Sequence, residues 1–156
     1  MRSPVLAFGI VVVLSMWLGA MLITSAVVAP AAFAVLPSRT LAGALVGRVL
    51  PVLFIAAIAI GAATVVASHR VNPSAVVASV VMIAASAIAQ FMISPRIERI
   101  RTAVGGPIDA LGVTDPRRMD FGRLHGISVL LLGLAGLGAV IALVTTARII
   151  IRAKAA

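Results

Sequence analysis

The chain has 156 residues, 62% of them hydrophobic and 11% charged, and its mean hydropathy of +1.23 is more than a soluble fold of this size can hide. With no cysteine, disulfides, iron–sulfur clusters and thiolate metal sites are excluded, and no cofactor or metal is expected from so few histidines and acids. The formal charge of +9 does not read as nucleic-acid binding, because the basic residues sit at the ends of apolar runs, where they meet anionic lipid headgroups.

The pattern predicts an all-α integral membrane four-helix bundle, one domain over residues 1–156, with spans near 5–29, 46–69, 74–95 and 121–147. The first run, Val5 to Ala29, carries no charge and is long enough for about 30 Å of hydrocarbon. A secretory signal peptide is the rival reading, with Arg2 as its basic start and Ala32-Phe33-Ala34 as a cleavage site. The run is longer than the usual h-region of about 7–15 residues. Trp17 falls near mid-helix, so its indole N–H needs an internal partner, expected from a Ser or Gln of a neighbour. Pro30 and Pro37 are expected to break this helix.

Residues 40–68 form the second run, its start near the interface and Pro51 kinking it just inside. After the turn His69-Arg70-Val71-Asn72-Pro73, Ser74 is the expected cap of the third helix. Beyond Pro95, Arg96, Glu98, Arg99 and Arg101 alternate with Ile97, Ile100 and Val104. That is a short basic amphipathic continuation suited to headgroup depth, ended by Gly105-Gly106-Pro107. Thr114-Asp115-Pro116 then starts the fourth helix with a cap and a proline at the first helical position. Arg148, Arg152 and Lys154 suit its C-terminus.

Helices two and four align without gaps: Gly47-Arg48 matches Gly122-Arg123, and Gly61 matches Gly136. Helices one and three each run towards a proline, Pro30 or Pro95. A helical hairpin duplicated in tandem is one reading, and chance matching in a Gly-, Ala- and Val-rich chain is the other. Small residues are what lets membrane helices pack, so Gly43, Gly47, Gly122, Gly126, Gly133 and Gly136 are assigned to helix packing. One such face, turned outward, would serve a homodimer or a larger membrane complex.

Polar groups inside a membrane segment cost free energy unless partnered, so they mark candidate sites. Ser79, Ser86, Gln90 and Ser94 share one face of the third helix. At the same membrane level lie Arg48, Arg96, Asp120, Arg123, His125 and Ser128. The cluster of Arg48, Gln90, Arg96, Asp120, Arg123, His125 and Ser128 reads either as snorkelling arginines with one interhelical histidine, or as a polar pocket open to one leaflet. Such a pocket would hold an anionic headgroup or a small polar solute. His125 is expected to face the bundle interior, because lipid offers an imidazole no partner.

Trp17-Leu18-Gly19 with Ala29-Pro30 and Phe33, Gly43-x-x-x-Gly47-Arg48 with Pro51, Ser94-Pro95-Arg96, and Phe121-x-x-Leu124-His125-Gly126-x-Ser128 together resemble a family of four-helix membrane proteins of unknown function. It includes an animal transmembrane protein linked to tolerance of platinum drugs. The chain is more distantly similar to the membrane domain of copper-resistance protein D and to a haem-linked four-helix protoporphyrinogen oxidase. The first resemblance implies an asparagine two turns after the Leu-His motif, where this chain has Leu132.

Three functions follow. The first is a non-enzymatic multi-pass protein affecting uptake or tolerance of a metal or small toxic solute through the polar cluster. The second, implied by the distant resemblance, is a tetrapyrrole-binding or redox module using His125. The third is a structural subunit of a larger complex. No nucleophile–base pair or phosphate loop points to an enzyme. The expected location is the cell membrane with both termini on the extracytoplasmic side, since eight Lys and Arg flank the loops after helices one and three and five lie at the other end.

Overall fold

The structure, a computed structural model, describes the backbone of residues 4–155 and the side chains of residues 5–152. Arg2 and the side chain of Lys154, which entered the charge count above, lie outside the described residues. Four helices long and apolar enough to cross a membrane make up an all-α bundle, with no strand among the described residues. We label them α1 (residues 4–35), α2 (Arg39–Ser68), α3 (Pro73–Val104) and α4 (Pro116–Ala155). Each packs on its two chain neighbours and α4 closes the ring against α1, so the hairpins α1–α2 and α3–α4 lie side by side.

The helix starts follow local chemistry. Ser38 accepts a hydrogen bond from the Leu41 N–H at 3.2 Å and caps α2. Asn72, not Ser74, caps α3: its Oδ1 accepts from the Ala75 N–H at 3.1 Å, with Pro73 at the first helical position. Asp115 accepts from the Arg117 N–H at 2.8 Å and from the Arg117 guanidinium, also at 2.8 Å. That guanidinium holds the Asp115 carboxyl below the usual carboxylate range. Gly105 ends α3 in the left-handed conformation, φ 64°, which a glycine adopts without strain.

Pro30 does not break the first helix. Residues Thr24–Val28 form a π turn in which the Ala29 N–H bonds back to the Thr24 carbonyl, and the helix continues to Val35. The wider turn relieves the clash between the proline ring and the preceding turn. Pro95 is passed in the same way by a π turn at Ile88–Ile93. Pro51 lies inside a helix that runs unbroken from Arg39 to Ser68.

The core is built from small side chains around a few large ones. Leu14, Trp17 and Met82 are buried among Ala57, Ala75, Ala78, Ala85, Ala135, Ala139 and Ala142, and Phe54 is fully buried as well. The first run is thus part of the bundle core. Glycines allow the closest approaches. A Cβ built on Gly138 would stand 2.6 Å from the Ala78 carbonyl oxygen, and one on Gly61 2.7 Å from Ile83. One on Gly136 would stand 2.9 Å from the Met21 methyl.

Candidate functional site

The basic end of the bundle is tied together by side chains from several elements. Arg39 pairs with Asp109 at 3.1 Å, joining the start of α2 to the α3–α4 connection. Arg118 donates to the Leu111 carbonyl at 2.7 Å. α4 covers 37 apolar-rich residues, Pro116–Arg152, about 55 Å at 1.5 Å per residue. That exceeds the hydrocarbon of about 30 Å. Residues 116–123 therefore suit headgroup depth, level with the basic end of α3.

Between that end of α3 and the start of α4 lies a cleft. Arg96, Arg99, Arg123 and Asp120 form its polar rim, and Ile93, Ile100, Leu124 and Ile127 its apolar floor. Asp120 joins no ion pair among the described residues. Three guanidiniums against one carboxylate leave the rim with net positive charge, and the floor runs from it towards the hydrocarbon. A phosphate at the rim with an alkyl chain along the floor matches both halves.

Of the residues singled out in the sequence, Arg96, Asp120 and Arg123 meet in this cleft. Gln90 and Ser128 lie deeper: Ser128 is buried, and the Gln90 Oε1 is buried without a hydrogen-bond partner among the described residues. Arg48 is exposed and lines no part of the cleft.

His125 is a correction. It is exposed, with its ring stacked on Phe121 at 6.2 Å between centroids and 2° between planes, and it makes no hydrogen bond among the described residues. Near the start of α4 it sits close to headgroup depth, where water meets the need for a partner that was expected to force it inward. It lines neither of the two clefts described at this end of the bundle.

The packing assignments also divide. Gly136 faces the Met21 side chain of α1. Gly122, Gly126 and Gly133 meet nothing within 4 Å and face out of the bundle. Gly43 and Gly47 face a side chain instead of a helix backbone. Built Cβ atoms there would stand 3.0 Å from Nη2 and 3.0 Å from Nη1 of Arg101. The guanidinium also lies 5.5 Å from the Phe121 ring centroid and 4.0 Å from Glu98. Arg101 thus joins α2, α3 and α4 in a stacked, partly desolvated clamp. Arg99 and Arg101 were both missed as site residues. Arg101 follows Ser94 by one heptad, so extending the polar face of α3 two turns past Pro95 reaches it.

A family model described as a domain of unknown function (DUF4149) matches residues 12–105. That stretch covers most of α1 and all of α2 and α3, including Arg96, Arg99 and Arg101, and stops before Asp120 and Arg123. The comparison with curated proteins and the comparison with solved structures return no match. None of these findings names a platinum-tolerance or copper-resistance protein.

Proposed function

This chain belongs to the DUF4149 family, a domain of unknown function, and we propose that it is a non-enzymatic multi-pass membrane protein that binds phosphate-bearing anions, lipid headgroups above all, in the cleft between α3 and α4. The observation that supports the reading is the pairing of a rim of Arg96, Arg99 and Arg123 with an apolar floor of Ile93, Ile100, Leu124 and Ile127. Any influence on uptake or tolerance of a toxic solute would act through this cleft, and its charge selects anions over metal cations. Among the described residues no three His, Cys, Asp or Glu side chains converge as metal ligands would.

The test is thermal stability of the detergent-purified protein titrated with phosphatidylglycerol, phosphatidylcholine or inorganic phosphate. Phosphatidylglycerol is expected to stabilise it most. Each surface arginine contributes about 1 kcal/mol to such binding, so Arg96→Ala or Arg123→Ala should weaken it about fivefold and the double change about thirtyfold. Arg48→Ala, outside the cleft, should leave it unchanged. Equal stabilisation by inorganic phosphate would reassign the ligand to a soluble anion. Equal response to both lipids and to inorganic phosphate would overturn the proposal.

A further inference from the structure

The inner face of α3 carries a line of polar side chains that the cleft does not use. Asn72, Ser79 and Ser86 are one heptad apart, and Gln90 follows one turn later. A heptad drifts by only about 20° around a helix, so Ser79 and Ser86 share a narrow stripe, with the cap residue Asn72 at its start and Gln90, in the π turn, at its other end. From Asn72 to Gln90 the stripe is about 27 Å long at 1.5 Å per residue, close to the hydrocarbon thickness of about 30 Å. Ser79 and Ser86 are fully buried and Asn72 is 5% exposed. Asn72 Nδ2, Ser79 Oγ, Ser86 Oγ and Gln90 Oε1 are all buried without a hydrogen-bond partner among the described residues.

Neighbouring helices add to both ends of this stripe. Gly138 of α4 lies against Ala78 and Met82. Since α4 runs antiparallel to α3, Thr146 comes level with Asn72, and Ser128 with Gln90. Gly61 of α2 lies against Ser79 and Ile83, which brings Ser68 level with Asn72; the Asn72 N–H bonds the Ser68 carbonyl at 2.9 Å. Ser68 Oγ and Thr146 Oγ1 are also buried without a partner among the described residues. These six atoms are all the buried unpartnered side-chain polar atoms of the described residues: four belong to α3 and its cap, and Ser68 and Thr146 lie level with the Asn72 end.

Alanine would fill the same space at positions 79 and 86 without burying a hydroxyl that lacks a partner. Thr64 shows the bland alternative: its hydroxyl bonds back to the Ile60 carbonyl at 2.8 Å and is satisfied within its own helix. We propose that the α3 seam is a hydrated path through the bundle, conducting water and small neutral hydrogen-bonding solutes between the Asn72 end and the Arg96–Arg123 end. No charged side chain belongs to the seam, so nothing in it selects ions of either sign. The tight approach of Gly138 to the Ala78 carbonyl and the fully buried Met82 between Ser79 and Ser86 narrow it at mid-membrane.

The natural chain has no cysteine, so single thiols report directly. Ser79→Cys and Ser86→Cys are near-isosteric. Val80→Cys faces lipid and Ala85→Cys lies in the apolar core at similar depth. In proteoliposomes, water-borne silver ion is added, washed out, and free thiols are counted with a maleimide after unfolding. The seam thiols should be blocked at least ten times faster than those at positions 80 and 85. In parallel, osmotic shrinkage followed by light scattering should be faster than in protein-free liposomes, and silver on Ser86→Cys should slow it. Seam thiols as slow as the controls would overturn the proposal, as would reactivity confined to the two ends. Reactive thiols with no gain in permeability would overturn the path as well. Elution and helicity matching the natural chain exclude misfolding as the cause.

Discussion

Trp17 shows how one side chain organises this interior. The residue is only 3% exposed, and its indole N–H donates to the Leu53 carbonyl of α2 at 2.9 Å. A tryptophan far from the interface needed a partner, and that need was legible from its position in the first run. The partner was not, because a helix carbonyl is available on every residue and only the approach of α1 to α2 selects one. His125 shows the reverse. The same partnering argument, applied to a residue near the end of its span, placed it inward, where the structure has it outward and stacked on Phe121. Depth separates the two cases: Trp17, at mid-helix, takes a helix carbonyl as its partner, and His125, near the headgroups, has water within reach. Trp17→Phe should therefore lower stability by about 2 kcal/mol, through the lost interhelical hydrogen bond and a small cavity. A denaturation titration in mixed detergent checks this, and a change below a few tenths of a kcal/mol would show that the bond to Leu53 contributes nothing.

At the level of elements, the existence of four helices and the caps beside Pro73 and Pro116 were readable from charge-poor runs and from proline chemistry, apart from the choice of Asn72 over Ser74. The basic continuation past Pro95 was also readable, but the course past Pro30 was not, because whether a proline breaks a helix or is absorbed by a π turn depends on the neighbours that hold the segment straight. The two π turns end two residues before their prolines, and Gly61 and Gly136 each pack on the first helix of the other hairpin. These points favour the duplicated-hairpin reading, while Gly47 and Gly122, one facing Arg101 and one facing open space, have diverged. Spacing alone also could not tell which glycines are packed, since a four-residue interval describes inward and outward faces equally. Substitution separates them. Gly138→Ala puts a methyl 2.6 Å from a backbone carbonyl, which only a helix shift can relieve, so it should cost about 1–3 kcal/mol. Gly126→Ala meets nothing and replaces a poor helix former with a good one, so it should be neutral or stabilising by up to about 1 kcal/mol. Melting temperatures of the two variants in one detergent test the pair, and equal shifts would contradict the packing described.

For the whole molecule, the distribution of charge decides which end faces the cytoplasm. Among the described residues Arg39, Arg48, Arg96, Arg99, Arg101, Arg117, Arg118 and Arg123 belong to one end and Arg70, Arg148 and Arg152 to the other; with Arg2 and Lys154 counted from the sequence as flanking the first and last runs, the count is eight against five. Several of the eight are occupied: Arg39 with Asp109, Arg117 with Asp115, Arg101 over Phe121. The bias that orients a membrane protein acts during insertion and counts Lys and Arg near span ends with little regard to acids, so pairing in the folded state does not remove them from the count. The anionic cytoplasmic leaflet also draws a basic end, and the cleft of Arg96, Arg99 and Arg123 would then open onto the leaflet richest in its proposed ligand. The turn between α2 and α3 should accordingly lie outside, with both termini. Val71 in that turn and Val113 in the α3–α4 connection are exposed, at 48% and 74%, and either accepts a cysteine without disturbing the core. On intact cells a membrane-impermeant maleimide should label Val71→Cys and spare Val113→Cys until the membrane is permeabilised. The opposite pattern would invert the molecule, and would put the arginine cleft on the leaflet where anionic lipid is scarce.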